Sequence, residues 1–230
     1  MTNVMKSDKL GLEYEVLAEK ILLFPNACPD PVASIAWMEA KDDSAWYENA
    51  SEWNDLLGGP ARHDNFIDFP SQEEADVVTE VFRTFAKLYD EVLTDIPESG
   101  YKQSDEQYNG VRYRLGGDAK NHVDQPNDDD IGMLNICIYL NDDYVGGELG
   151  FVQEQERKVN NTTPDPTKDL MYYPKAGDMV VFPGHFWHYA MPTVSGTKYL
   201  TLVKTFVARE GMEPGVPMDS YTDEYPNSER

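Results

Sequence analysis

Cysteine, histidine and positive charge are all scarce in this 230-residue chain: two cysteines, four histidines, and 19 lysines and arginines against 42 aspartates and glutamates, for a net charge of −23. Cys28 and Cys137 stand far apart with no C-x-x-C spacing, which excludes the disulfide framework of a secreted miniprotein; both are expected to be reduced and buried. The acidic excess repels phosphate backbones and anionic membranes, so binding of nucleic acid through a general basic patch is excluded. The simplest reading of the charge is a solubilising coat rather than a surface built to attract a cationic partner. No run approaches the roughly 18 apolar residues of a membrane span, and Met1 to Lys9 lacks an apolar segment, so a soluble cytoplasmic protein is expected. The sequons Asn49-Ala50-Ser51 and Asn160-Asn161-Thr162 carry no weight in that setting. What remains is ample for one core: 40% hydrophobic and 12% aromatic residues, in a length that suits a single domain.

Residues 13–27 read as one or two entry strands, and Pro29-Asp30-Pro31 opens a helical pattern over 32–40. Ser71-Gln72-Glu73-Glu74 is a capping box, after which Val78, Val81, Phe82, Phe85, Leu88, Tyr89 and Val92 recur at helical spacing. From about residue 108 the texture changes to short apolar runs punctuated by glycine and Asn-Asp. Strands are expected at 107–115, 133–140, 148–152, 178–182 and 198–207. That density of strands points to a sandwich or a jelly-roll barrel, in an α+β, mainly β arrangement with the helices packed before it. Gln153 to Asp169 is a polar interruption expected to form a long loop between neighbouring strands. Residues 209–230 are rich in acids, proline and glycine, and are expected to form a loosely ordered tail.

The four histidines, His63, His122, His185 and His188, leave few ways to build a metal site. In Asn121-His122-Val123-Asp124, an extended strand would turn positions i and i+2 to the same side, giving an imidazole and a carboxylate aimed at one point. A third ligand from a distant histidine would complete the two-histidine, one-carboxylate facial triad, whose open positions suit non-haem Fe(II) and O2. H-x-D alone is a weak signal, and a surface histidine beside an acid reads the same way.

The support lies downstream, in a series of ordered motifs: Tyr139-Leu140-Asn141, Gly146-Gly147-Glu148-Leu149, Pro174-Lys175-Ala176-Gly177-Asp178, Phe182-Pro183, His188, and Gly196-Thr197-Lys198-Tyr199. Together with His122-Val123-Asp124, this series resembles the prolyl 4-hydroxylase-like family of Fe(II)- and 2-oxoglutarate-dependent dioxygenases. The resemblance covers about 108–207 and implies a double-stranded β-helix (jelly-roll) core over those residues. It extends only loosely to the N-terminal helical support expected over 10–105; with the length and the tail composition, this gives one expected domain over 1–208 and an acidic tail over 209–230. The family places its distal histidine about four residues before a Pro-Val-like step and about ten before the basic residue. His188 stands in that relation to Pro192 and Lys198, which makes His122, Asp124 and His188 the implied catalytic metal ligands and leaves His185 a structural residue. Lys198 is the implied cation for the far carboxylate of 2-oxoglutarate, where a buried dianion needs a fixed positive partner. Tyr139 and Tyr113 are candidates for phenolic hydrogen bonds to the same co-substrate, or else ordinary barrel aromatics. Glu148 reads as a turn residue, Asp128-Asp129-Asp130 as a solvated turn or else a contact for a basic substrate, and His63 as a loop residue or else part of a lid over the site.

The activity implied is hydroxylation of a prolyl residue in a peptide or protein, using Fe(II), 2-oxoglutarate and O2, releasing succinate and CO2, with ascorbate as a candidate reductant. One departure bears on substrate contact: Ala119 stands where the family often has an aromatic, three residues before the iron histidine. The same chemistry on a free amino acid or small metabolite is one alternative, and a non-catalytic jelly-roll binding module is another. A nucleic-acid dealkylating oxygenase would share the triad, but the charge of −23 argues against that partner.

Overall fold

The structure is a computed structural model that describes residues 4–7, 11–18, 20–28, 31–48, 64–68, 103–124, 131–159 and 163–208. Strands in chain order are β1 (Val4–Lys6), β2 (Glu13–Ala18), β3 (Ile21–Phe24), β4 (Tyr47–Glu48), β5 (Asp64–Asp68), β6 (Gln103–Tyr113), β7 (Ala119–His122) and β8 (Ile131–Tyr139). They continue as β9 (Val145–Gly146), β10 (Leu149–Phe151), β11 (Leu170–Tyr172), β12 (Met179–Pro183), β13 (His188–Ala190), β14 (Thr193–Ser195) and β15 (Lys198–Ala208). One α-helix, α1 (Val32–Glu39), lies among the described residues.

The strands form two principal antiparallel sheets. The major sheet runs β1-β2-β3-β12-β8-β15-β6-β5-β4 and the minor sheet β11-β10-β13-β7, with β14 and β9 paired beside them. This is the jelly-roll arrangement expected from strand density, with connections that carry the chain from one sheet to the other.

The central strands of the major sheet are buried on both faces, which is why they read as unbroken apolar runs. On one face, Ile21, Leu23, Cys137, Tyr139, Val180 and Phe182 meet Leu149, Phe151 and Tyr172 of the minor sheet. On the other, Leu22, Phe24, Leu134, Ile136, Ile138 and Val181 pack under Trp37 and Met38 of α1. A side-chain period of two thus divides each strand between two cores. Cys28 and Cys137 are both buried and outside any disulfide, as their spacing led one to expect.

Strands appear at each of the five expected downstream positions, and Gln153 to Asp169 connects β10 to β11, which pair directly. Three expectations need correction. The support over 10–105 is not purely helical: the entry strands expected at 13–27 form as β2 and β3, which join the major sheet through pairing of β3 with β12. The sheet also reaches outside 108–207, because β6 begins at Gln103 and pairs with β5. Finally, β7 stops at His122, so Asp124 is not on an extended strand but just past its end, where its amide donates to the Gly184 carbonyl at 2.9 Å. The capping box at 71–74, the helical stripe at 78–92, His63, Asp128 to Asp130 and the tail over 209–230 lie outside the described residues.

Candidate metal centre

β7 and β13 pair antiparallel with His122 directly opposite His188, so the two imidazoles project from the same face, ring centroids 4.2 Å apart. Asp124 comes round to meet them: its Oδ1 lies 3.6 Å from His122 Nε2 and its Oδ2 3.3 Å from His188 Nε2. One ligand atom from each of the three lies within 4.8 Å of the others. Among the described residues this is the one such group of histidine, cysteine or carboxylate side chains.

The ring orientations are set from behind. His122 Nδ1 sits 2.6 Å from the Lys120 carbonyl oxygen, and His188 Nδ1 sits 2.8 Å from that of Phe186. A ring nitrogen facing a carbonyl oxygen must be the one that donates, which leaves Nε2 of each neutral ring as a lone pair turned toward Asp124. Phe182 abuts the His188 ring edge to face at 4.8 Å and fixes its tilt. Two imidazole nitrogens and one carboxylate converging within 4.8 Å of one another are a donor set that fits Fe(II).

The triad opens on a cavity of about 60 Å³ that also contains Lys198, Tyr139 and Tyr113. Lys198 is 2% exposed; its Nζ donates to the Gly147 carbonyl at 2.8 Å and lies 4.4 Å from the Tyr113 ring centroid and 5.6 Å from that of Tyr139. Tyr113 therefore meets the lysine through its ring face. Burial pushes the Tyr139 phenol well above its ordinary range, so it stays a neutral donor. The Gly146-Gly147 pair makes this geometry available: both have positive φ, and a Cβ on Gly146 would stand 2.2 Å from the Pro192 carbonyl oxygen.

Other motifs resolve into scaffolding. The Asp178 carboxylate accepts from the Tyr172 hydroxyl and, at 2.9 Å, from the Asn26 amide, closing the turn before β12. Glu148 contributes its backbone carbonyl, which accepts from the Met191 amide at 2.8 Å. His185 is outside the triad, edge to face with Phe186 at 4.9 Å.

One residue of the site was not singled out from the sequence. Asn135, fully buried on β8, donates from Nδ2 to Asp124 Oδ2 at 2.8 Å. Its signal was available: a single amide inside the apolar run Met133-Leu134-Asn135-Ile136-Cys137, in register with Cys137 and Tyr139.

Residues 108–204 match the model of the 2OG-Fe(II) oxygenase superfamily. The core of this chain has the jelly-roll fold of the 2OG-Fe(II) oxygenases. Similar solved structures include a prolyl hydroxylase from Trichoplax adhaerens in complex with a hypoxia inducible factor peptide fragment (14% identity, 83% of this chain and 84% of that one, TM-score 0.59). A Pseudomonas putida prolyl-4-hydroxylase is similar at 18% identity over 84% of this chain and 94% of that one, TM-score 0.51. HygX from Streptomyces hygroscopicus, solved with nickel and 2-oxoglutarate, is similar at 12% identity over 85% of both chains, TM-score 0.55. Among curated proteins, no sequence matches the chain. No helix among the described residues is long and apolar enough to cross a membrane.

Proposed function

We propose that the chain is an Fe(II)- and 2-oxoglutarate-dependent dioxygenase that hydroxylates a prolyl residue in a peptide or protein, releasing succinate and CO2. The observation that carries this reading is the pairing, in one cavity, of the His122, Asp124 and His188 cluster with the buried ammonium of Lys198. His122 and His188 would hold Fe(II) through Nε2 and Asp124 through a carboxylate oxygen. When bound, the iron supplies activation of O2 coupled to oxidative decarboxylation of 2-oxoglutarate.

The chain's own residues do the rest. The Lys120 and Phe186 carbonyls keep the imidazoles in the metal-binding tautomer. Lys198 neutralises the far carboxylate of the co-substrate, and Tyr139 donates its phenolic hydrogen to it, so the dianion enters an apolar cavity without an unpaired charge. Phe182 and Leu149, both buried, line the cavity and exclude water from the reacting end. Ascorbate is the proposed reductant that keeps the iron ferrous between turnovers.

The prolyl assignment rests on the sequence motifs and on two neighbours that are prolyl hydroxylases. A second reading, a small-molecule substrate, draws on the HygX structure solved with hygromycin B and on Ala119 in place of an aromatic. The test is incubation of the purified chain with Fe(II), 2-oxoglutarate and a panel of proline-containing peptides and proteins, followed by mass spectrometry. One added oxygen on a prolyl residue, with matching succinate, is the expected result. Uncoupled succinate formation that no prolyl peptide stimulates would overturn the prolyl assignment and leave the small-molecule reading.

A further inference from the structure

Asn135 bridges the metal cluster and the cavity. Its side chain is 0% exposed, its Nδ2 donates to Asp124 Oδ2 at 2.8 Å, and its Oδ1 is buried without a partner. The amide cannot be the other way round, because a carbonyl oxygen turned toward a carboxylate would be repelled. The orphan acceptor is therefore a consequence of the bond to Asp124. Asn135 lines the same cavity as Lys198. A buried amide left half satisfied is unfavourable, and such a group persists where it serves a site.

We infer that Asn135 is a positioning residue that keeps Asp124 a one-oxygen ligand, so that the metal retains the open positions the co-substrate and O2 need. This rests on the proposed dioxygenase reading. A carboxylate can close on a metal through one oxygen or two. Bound through both, Asp124 would occupy a position that a chelating 2-oxo acid requires. The Asn135 amide holds Oδ2 by its hydrogen bond and resists the rotation that would bring both oxygens onto one ion. The backbone below is rigid: Asn135 lies opposite Phe182 on β12 and Lys204 on β15, in the middle of the major sheet. Its unpartnered Oδ1 then accepts from a donor that arrives with the ligands, such as a water on the metal.

The experiment uses Mn(II) as a paramagnetic probe in the full chain and counts metal-bound water by proton relaxation. Binding of 2-oxoglutarate to the Mn(II)-loaded protein is measured by calorimetry. The parent should hold about three exchangeable waters, and Asn135→Leu about two, with 2-oxoglutarate bound about 10-fold more weakly. Asn135→Thr, which restores a hydroxyl donor, should recover the third water. Thermal melts identify any variant that has simply lost its fold; if Asn135→Leu has done so, Asn135→Ala takes its place, with three waters and unchanged 2-oxoglutarate affinity in that variant contradicting the inference. A parent that binds no Mn(II) or Fe(II) would overturn the dioxygenase reading itself. A parent with three waters, and a folded Asn135→Leu with the same count and the same 2-oxoglutarate affinity, would overturn only the role given to Asn135.

Discussion

Asp124 shares its two oxygens among His122, His188 and Asn135, all within 3.6 Å, so small changes at any of these positions reach the metal. His188→Ala should abolish stoichiometric Fe(II) binding and succinate formation, whereas His185→Ala, whose ring contacts Phe186 instead, should retain both. Metal analysis of the two purified variants separates them. Lys198→Met keeps the volume of the side chain but not its charge. It should raise the KM for 2-oxoglutarate about 10- to 100-fold, as expected from losing a charged hydrogen bond of about 1.5–3 kcal/mol. Fe(II) affinity should stay unchanged; a variant that lost both would place Lys198 in the metal site rather than the co-substrate pocket. At this scale the sequence was informative where two chemical groups stand close in the chain. His122 and Asp124 could be paired by spacing alone, although the strand ends between them. That His188 faces His122 could not be, because β13 has only three residues, too few for a side-chain period. Asn135 was missed for the opposite reason: it hides in the middle of a strand that reads as core.

At the scale of elements, the long connection from β10 to β11 is clamped to the sheet behind the metal strand. Asn121 Nδ2 donates to the carbonyls of Arg157 and Val159 at 2.9 and 3.0 Å, and Arg157 makes a two-pronged contact with Asp169 at 2.6 and 2.7 Å. The Tyr189 hydroxyl adds a third donor to Asp169, whose side chain is fully buried. Asp169→Asn should therefore destabilise the fold by about 2–4 kcal/mol, since it leaves the Arg157 guanidinium without its countercharge; urea unfolding checks this. Burial also raises the Tyr139 and Tyr172 phenols, the latter helped by its bond to Asp178. In the unfolded chain they ionise near pH 10, so above about that pH the unfolded state binds fewer protons and stability falls as pH rises. Tyrosinate absorbance should show these groups ionising only as the fold is lost. The long strands β6, β8, β12 and β15 were legible from composition and alternation. The two- and three-residue strands β9, β11, β13 and β14 were not, because pairing rather than local pattern defines them.

For the whole molecule, the charge of −23 takes on a specific meaning once the cavity is known. An acidic exterior favours a cation and opposes a dianion, and Lys198 is the fixed charge that offsets the second effect at close range. Affinity for 2-oxoglutarate should improve as added salt screens the surrounding acids; isothermal titration across ionic strengths reads this, and a steep fall would contradict it. The architecture follows from the same division of labour, with a two-sided sheet supplying rigidity and a short second sheet presenting the histidines.

The most direct test of the central claim is anaerobic titration of Fe(II) into the purified chain, followed by O2-dependent conversion of 2-oxoglutarate to succinate. One Fe(II) per chain and succinate formation are the expected results, both lost in His188→Ala. A folded chain that binds no Fe(II), or that binds it yet forms no succinate, would contradict that claim.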